Sequence, residues 1–104
     1  MVTRTVKQGE LLRVDGLGWP VVVVSNDFFN TSGKAIVCPI LDNAVEGPLH
    51  IPLSEGPLQG LVLCEQVRFV DLNARRFSRI GEMSYYALMD ISDAVMGMFD
   101  YQRS

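Results

Sequence analysis

Four valines stand in a row in this chain, Val21-Val22-Val23-Val24, with Pro20 before them and Ser25-Asn26 behind. A β-branched run closed at both ends by turn residues suits a strand buried on both faces. Neighbouring strands are legible around it. Glu10–Asp15 reads as a strand ended by Gly16 and Gly18, and Lys34–Ile40 reads as another, at an edge near Pro39 because proline has no N–H to give a ladder. Leu49, Ile51 and Leu53 alternate with His50 and Pro52, the pattern of a half-buried strand. Leu61–Val70 holds two strand-like stretches around Glu65-Gln66, and Phe77–Ile80 is a last short strand. Asn26–Gly33 reads as a loop with room for one helical turn, Leu41–Gly47 as a polar connection, and Ser54–Gly60 as a turn.

From Ser84 the period changes. Leu88, Ile91, Val95 and Met98 fall within about 80° of arc at helical spacing, and Phe99 extends that stripe. Ser84 stands where an N-cap belongs, so a helix is expected from about 84 to about 101. Tyr85, Met89 and Met96 form a second apolar edge on it. The class is mostly β with one C-terminal α-helix packed on a compact sheet or small barrel. With 104 residues, a single domain is expected, the barrel spanning about 7–81.

Composition removes several function classes. No apolar run approaches the length of a membrane span, and the first residues lack the continuous hydrophobic stretch of a secretory signal. Cys38 and Cys64 lie 26 residues apart and His50 is the one histidine, so a four-ligand Cys/His metal site is excluded for a monomer and two reduced, buried thiols are expected. The net charge of −3 means that nucleic-acid binding needs a local basic patch. Residues 68–79 supply one, with Arg68, Arg75, Arg76 and Arg79 against Asp71, whereas 81–101 carry only acids. That segment reads either as a solvated, ion-paired surface or as a basic groove beside an acidic helix.

The order of these pieces resembles the MazF/PemK toxin family. Lys7 to Asp15 is similar to the family's opening K-x-G-(D/E)-(I/L)…V-D, and Pro20 to Asn30 to its R-P-V-V-V-V-S-N-D…F-N. Ala35–Ile40 matches V-I-V-A-P-(I/L)-T, His50-Ile51-Pro52-Leu53 matches T-H-V-P-L, Leu61–Phe69 matches S-V-V-L-C-D-Q-I-R-T, and Arg79-Ile80-Gly81 matches K-R-I-G. The resemblance implies an SH3-like β-barrel of the CcdB/MazF/PemK kind with a C-terminal helix, forming a homodimer in the cytoplasm. It implies a toxin of a toxin–antitoxin pair that cleaves single-stranded RNA without metal or cofactor, blocked by an antitoxin peptide in the RNA groove.

Against the family pattern, Trp19 stands where the catalytic arginine precedes the proline, Leu41 where the catalytic threonine follows Pro-Ile, and Leu63 where PemK-type members carry a further arginine. The connection between the first two strands is about ten residues shorter than the family's, and the acidic position survives as Glu65. Metal-free cleavage through the ribose 2′-OH needs a base, an acid and a cation for the phosphorane charge. Neither Trp19 nor Leu41 supplies one, which argues against the usual mechanism. A rearranged site would use Glu65 as base, His50 as acid and Arg68 as phosphate clamp, with Trp19 stacking on RNA and Arg75 and Arg76 adding charge. Each has a structural alternative: Glu65 paired with Arg68, His50 as a surface strand residue, and Trp19 as a packed strand-end aromatic. Two other readings remain open, a silent relative that binds nucleic acid or an antitoxin peptide, and a gyrase poison of the CcdB type.

Overall fold

A computed structural model describes residues 5–55 and 58–99. The described residues form β1 (Glu10–Val14), β2 (Val21–Val23), α1 (Asp27–Asn30), β3 (Lys34–Leu41), β4 (His50–Glu55), β5 (Leu58–Leu63), β6 (Arg68–Asp71), β7 (Phe77–Glu82) and α2 (Tyr85–Gly97). The seven strands make one curled antiparallel half-barrel in the order β4-β5-β3-β2-β1-β7, and β6 adds to β3.

The curl follows from β3, the longest strand. One of its edges pairs with β2 over Val37–Pro39. Its other edge pairs with β6 over Lys34–Val37 and then with β5 at Ile40 and Leu41, so the sheet forks there. Pro39 sits at the fork. The Ile40 N–H goes to the Pro20 carbonyl on the β2 side at 2.9 Å, so the alternation of a strand turns the Pro39 nitrogen to the other side, where neither β5 nor β6 pairs with it. The edge expected from this proline is therefore local. The strand as a whole is central, and only its Pro39 position is an edge, as expected there.

The valine run divides between two cores. Val21 and Val23 join Leu12, Val14, Val37 and Phe77 on one face, with Trp19 packed against them. Val22 joins Leu11, Cys38, Ile40, Val62 and Ile91 on the other, with Val24 packed on it. Burial on both faces holds, and the apolar surface removed is worth about 1.5–3 kcal/mol for each valine.

Helix α2 covers the second face. Ser84 caps it, its Oγ accepting from the Ala87 N–H at 3.2 Å. Ile91 is fully buried, with Leu88 and Val95 packed beside it. Phe99 is 74% exposed and does not extend the stripe, because α2 ends at Gly97 and the chain turns there. Tyr85, Met89 and Met96 face outward. The end expected near residue 101, like residues 56 and 57, lies outside the described residues. The expected turn at Ser54–Gly60 is mostly strand: Ser54 pairs with Gln59 and Glu55 with Leu58, so polar side chains hid the end of a hairpin. The expected helical turn in 26–33 is α1, capped by Asn26, whose Oδ1 accepts from the Phe29 N–H at 2.9 Å. Among the described residues, no helix is long and apolar enough to cross a membrane.

Candidate active site

His50 opens β4 and Glu65 lies in the turn that closes β5. The hairpin register sets His50 opposite Leu63, two residues before Glu65. Consequently two side chains 15 residues apart in sequence meet, with His50 Nε2 at 2.7 Å from Glu65 Oε1. The backbone fixes both ends of this contact. The His50 N–H donates to the Gly47 carbonyl at 3.1 Å, the Cys64 N–H to the Leu49 carbonyl at 2.9 Å, and the Gln66 N–H to the Leu63 carbonyl at 3.1 Å.

The imidazole is oriented from its far side as well. Its Nδ1 faces the Val45 carbonyl, which can only accept, so Nδ1 carries a proton. The hydrogen bond to Glu65, then that to Val45, raise the His50 pKa above the ordinary 6.5 against a smaller cost of desolvation. For Glu65, desolvation pushes the carboxyl up, but the His50 hydrogen bond, the residue's own backbone N–H and the His50 charge outweigh it, and the net direction is down. Both shifts favour the imidazolium–carboxylate form of the pair. Its side chains are 20% and 35% exposed, so it is open to a ligand and contributes little to stability.

This pair stands at the turn that leads into a concavity of about 290 Å³, walled by Trp19, Val21, Pro39, Gln66, Val67 and Arg68. Arg68 begins β6, three residues after Glu65, and among the described residues its side chain has no ion-pair or hydrogen-bond partner. The alternative of a Glu65–Arg68 pair is therefore not what forms, because Glu65 binds His50. Trp19 is half-buried and packs on the first core, while one side of it lines the concavity. Leu41 ends β3, and both it and Trp19 line a second concavity of about 390 Å³.

The basic segment is not one patch. Arg75 Nη1 donates to the Asp15 carbonyl at 3.1 Å, and Arg79 Nε donates to Glu10 Oε2 at 2.7 Å. Arg76 lines a separate cleft with Arg13. Of the residues expected at a site, the fold brings His50 to Glu65 and sets Trp19 and Arg68 on the walls of one concavity, which Gln66, next to Glu65 in the chain, also lines; Arg75 and Arg76 lie elsewhere. Sequence reasoning passed over Gln66 and Arg13. Arg13 was findable, since it is the charged residue of an otherwise apolar strand core and alternation turns it away from Leu12 and Val14. Cys64, beside Glu65, is no nucleophile: burial, then the Glu65 charge, push its thiol up to about 11. Burial, then Cys64 and Glu65, push Cys38 up to about 12, and both cysteines are free and buried as expected.

Comparison with known proteins gives a family. The model of the PemK-like, MazF-like toxin of type II toxin–antitoxin systems matches residues 16–99. The endoribonuclease toxin ChpB of Escherichia coli (strain K12) is 40% identical over 73 residues, which cover 64% of this chain and 61% of ChpB, less than two thirds of that relative. MazE–MazF (Form-II) from Deinococcus radiodurans superposes with a TM-score of 0.83 at 21% identity, covering 95% of this chain and 99% of that one. An endoribonuclease in complex with its cognate antitoxin from a mycobacterial species superposes at 0.79 with 19% identity, covering 90% and 94%. At these identities the solved structures show the fold.

Proposed function

Since the chain belongs to the PemK-like, MazF-like toxin family of type II toxin–antitoxin systems, we propose that it is an endoribonuclease toxin whose acid–base chemistry rests on His50 and Glu65. The observation that carries this reading is the 2.7 Å contact between the two side chains beside the concavity of Trp19 and Arg68. A cleavage that proceeds through the ribose 2′-OH needs in-line attack on the adjacent phosphorus. The Glu65 carboxylate takes the 2′-OH proton as the 2′-O–P bond forms. The His50 imidazolium gives its Nε2 proton to the 5′-oxygen as the P–O5′ bond breaks, leaving a 2′,3′-cyclic phosphate and a 5′-hydroxyl. The entering and leaving oxygens lie on opposite sides of phosphorus, so the scissile group enters between the two side chains. Afterwards Glu65 holds the proton that His50 lacks, and re-forming their contact returns it. Arg68 meets the non-bridging oxygens, where the negative charge grows.

This assignment replaces the donors absent at positions 19 and 41. Trp19 offers a stacking face to a base instead of a charge to a phosphate. The same reading makes the active form a cytoplasmic homodimer that an antitoxin peptide blocks by occupying the RNA groove. The test is cleavage of a long mixed-sequence single-stranded RNA in the presence of a chelator. Cleavage by the wild type that is lost in Glu65→Gln supports the reading, and RNA bound but left intact by both proteins refutes it. Trp19 and Leu41 favour that second result, which would make the chain a binding module on a toxin fold.

A further inference from the structure

Three clefts on this surface share walls. Trp19 lines both the concavity that holds Arg68 and the second concavity, near Leu41. Arg13 lines both that second concavity and a third of about 500 Å³ that holds Arg76. The three clefts together contain three arginines whose side chains have no ion-pair or hydrogen-bond partner among the described residues: Arg68 in the first, Arg13 in the second, and Arg13 with Arg76 in the third. Arg75 and Arg79, the other arginines of the basic segment, are tied to Asp15 and Glu10.

Two features keep this path open. The connection between β1 and β2 is short and turns down, with the Leu17 N–H on the Val14 carbonyl at 3.0 Å and Leu17 packed on the first core, and Arg13 beside it is exposed. Arg13 also has no structural work to do. It projects outward from a strand whose other central residues, Leu11, Leu12 and Val14, are buried. An unpaired guanidinium at the junction of two clefts is a ready phosphate ligand, since its fork meets two phosphate oxygens at once.

We propose that Arg13 is a phosphate-binding residue for single-stranded RNA, the middle of a track that runs from Arg68 past Trp19 and Arg13 to Arg76. This rests on the reading of the chain as an RNA-cleaving toxin and extends it: the strand continues beyond the scissile phosphate through the second and third clefts. Sequence is not read by such contacts, so the track adds affinity without choosing the target.

The test separates binding from cleavage. The probe is a 2′-O-methyl oligouridine of about a dozen nucleotides, long enough to span several phosphate contacts and unable to react because its 2′-oxygen is blocked. Its affinity is measured against salt for the wild type, Arg13→Gln, Arg13→Lys and Arg75→Gln, with thermal melting to show that each is folded. Each phosphate neutralised on a single strand adds about 0.7 to the slope of log affinity on log salt, so the three arginines give about −2 and Arg13→Gln about −1.4. Between about 50 and 200 mM salt, losing one such contact makes the fall in affinity about 2.6-fold smaller. Arg13→Lys keeps the wild-type slope, and so does Arg75→Gln. A slope unmoved by Arg13→Gln, or lowered as much by Arg75→Gln, overturns the track and leaves the cleavage reading intact if unmodified RNA is still cut through Glu65. No binding of the oligonucleotide by the wild type, with an acidic peptide bound instead, overturns the track, and with no cutting of unmodified RNA it overturns the RNA reading too.

Discussion

Glu65→Gln keeps the shape of the side chain and removes its charge and basicity, while His50→Asn removes the acid. Positioned acid or base catalysis contributes about 10²–10⁴ in rate, so each single variant should lose that much in kcat. The 2.7 Å contact decides what the double variant does. Groups that touch act as a unit: without Glu65 the imidazole loses the main interaction that raises its pKa, and without His50 the carboxylate loses its main charged partner. The double variant should therefore fall no more than about tenfold below the worse single, far from the product of the two losses. The pH profile follows from the signs. Activity needs Glu65 ionised and His50 protonated. With the first pKa lowered and the second raised in the free enzyme, the plateau of kcat/KM extends below the ordinary 4.5 on its acid side and above the ordinary 6.5 on its alkaline side. Glu65→Gln abolishes the acid limb and draws the alkaline limb down. Because His50 is the one histidine, its ring resonances in an NMR titration report the same shift without assignment. Multiplicative losses in the double variant, or a Glu65→Gln enzyme within threefold of wild type, refute the paired mechanism.

Other consequences are structural. Ile91 is fully buried in the second core, so Ile91→Ala should cost about 2–5 kcal/mol in urea unfolding, whereas exposed Met89→Ala should change stability by less than about 0.5 kcal/mol. A Cβ on Gly60 would lie 2.7 Å from the Leu41 carbonyl oxygen and open the β3–β5 pairing, so Gly60→Ala should destabilise by about 1–3 kcal/mol. Gly18 has nothing within 4 Å, so Gly18→Ala should be neutral or stabilise by up to about 1 kcal/mol on the same scale. Thiols held up at about 12 and about 11 should not react with a disulfide reagent at pH 8 until the chain unfolds; titration of both in the native protein would refute their burial.

What the sequence made legible was local. The valine run and the Leu88–Ile91–Val95 stripe repeat at the periods of strand and helix, and both were placed on the faces they occupy. The ends of elements were less legible, because Ser54 and Glu55 are polar yet paired, and because Phe99 fits a helical stripe that no longer has a helix under it. The site was legible as a list of residues and not as contacts. Nothing local says that His50 meets Glu65, since that depends on the β4–β5 register. Likewise, four arginines close in sequence look like one patch, but Asp15 holds Arg75 from 60 residues away and Glu10 holds Arg79 from 69. Charge density in a sequence counts cations; only tertiary contacts show which are free.

The two faces of the sheet explain how the family's donors could be given up without losing the fold. The second face is sealed by α2, and substitutions there act on stability. The first face opens at its Trp19 end, where packing and ligand contact compete for the same side chain. A tryptophan buries about 150–250 Å² when fully enclosed, so even part of that area is worth roughly 2–3 kcal/mol at about 25 cal/mol per Å². An arginine at 19 would keep its aliphatic stem on the core but send its charged end into the concavity. Trp19 thus gives apolar cover to the core where an arginine would give a charge to the concavity. A site that keeps acid–base chemistry without that charge must take its proton donor and acceptor from a part of the frame that the core does not claim. The β4–β5 hairpin meets that requirement: His50 and Glu65 are held by main-chain hydrogen bonds and by each other, and neither belongs to the two buried clusters.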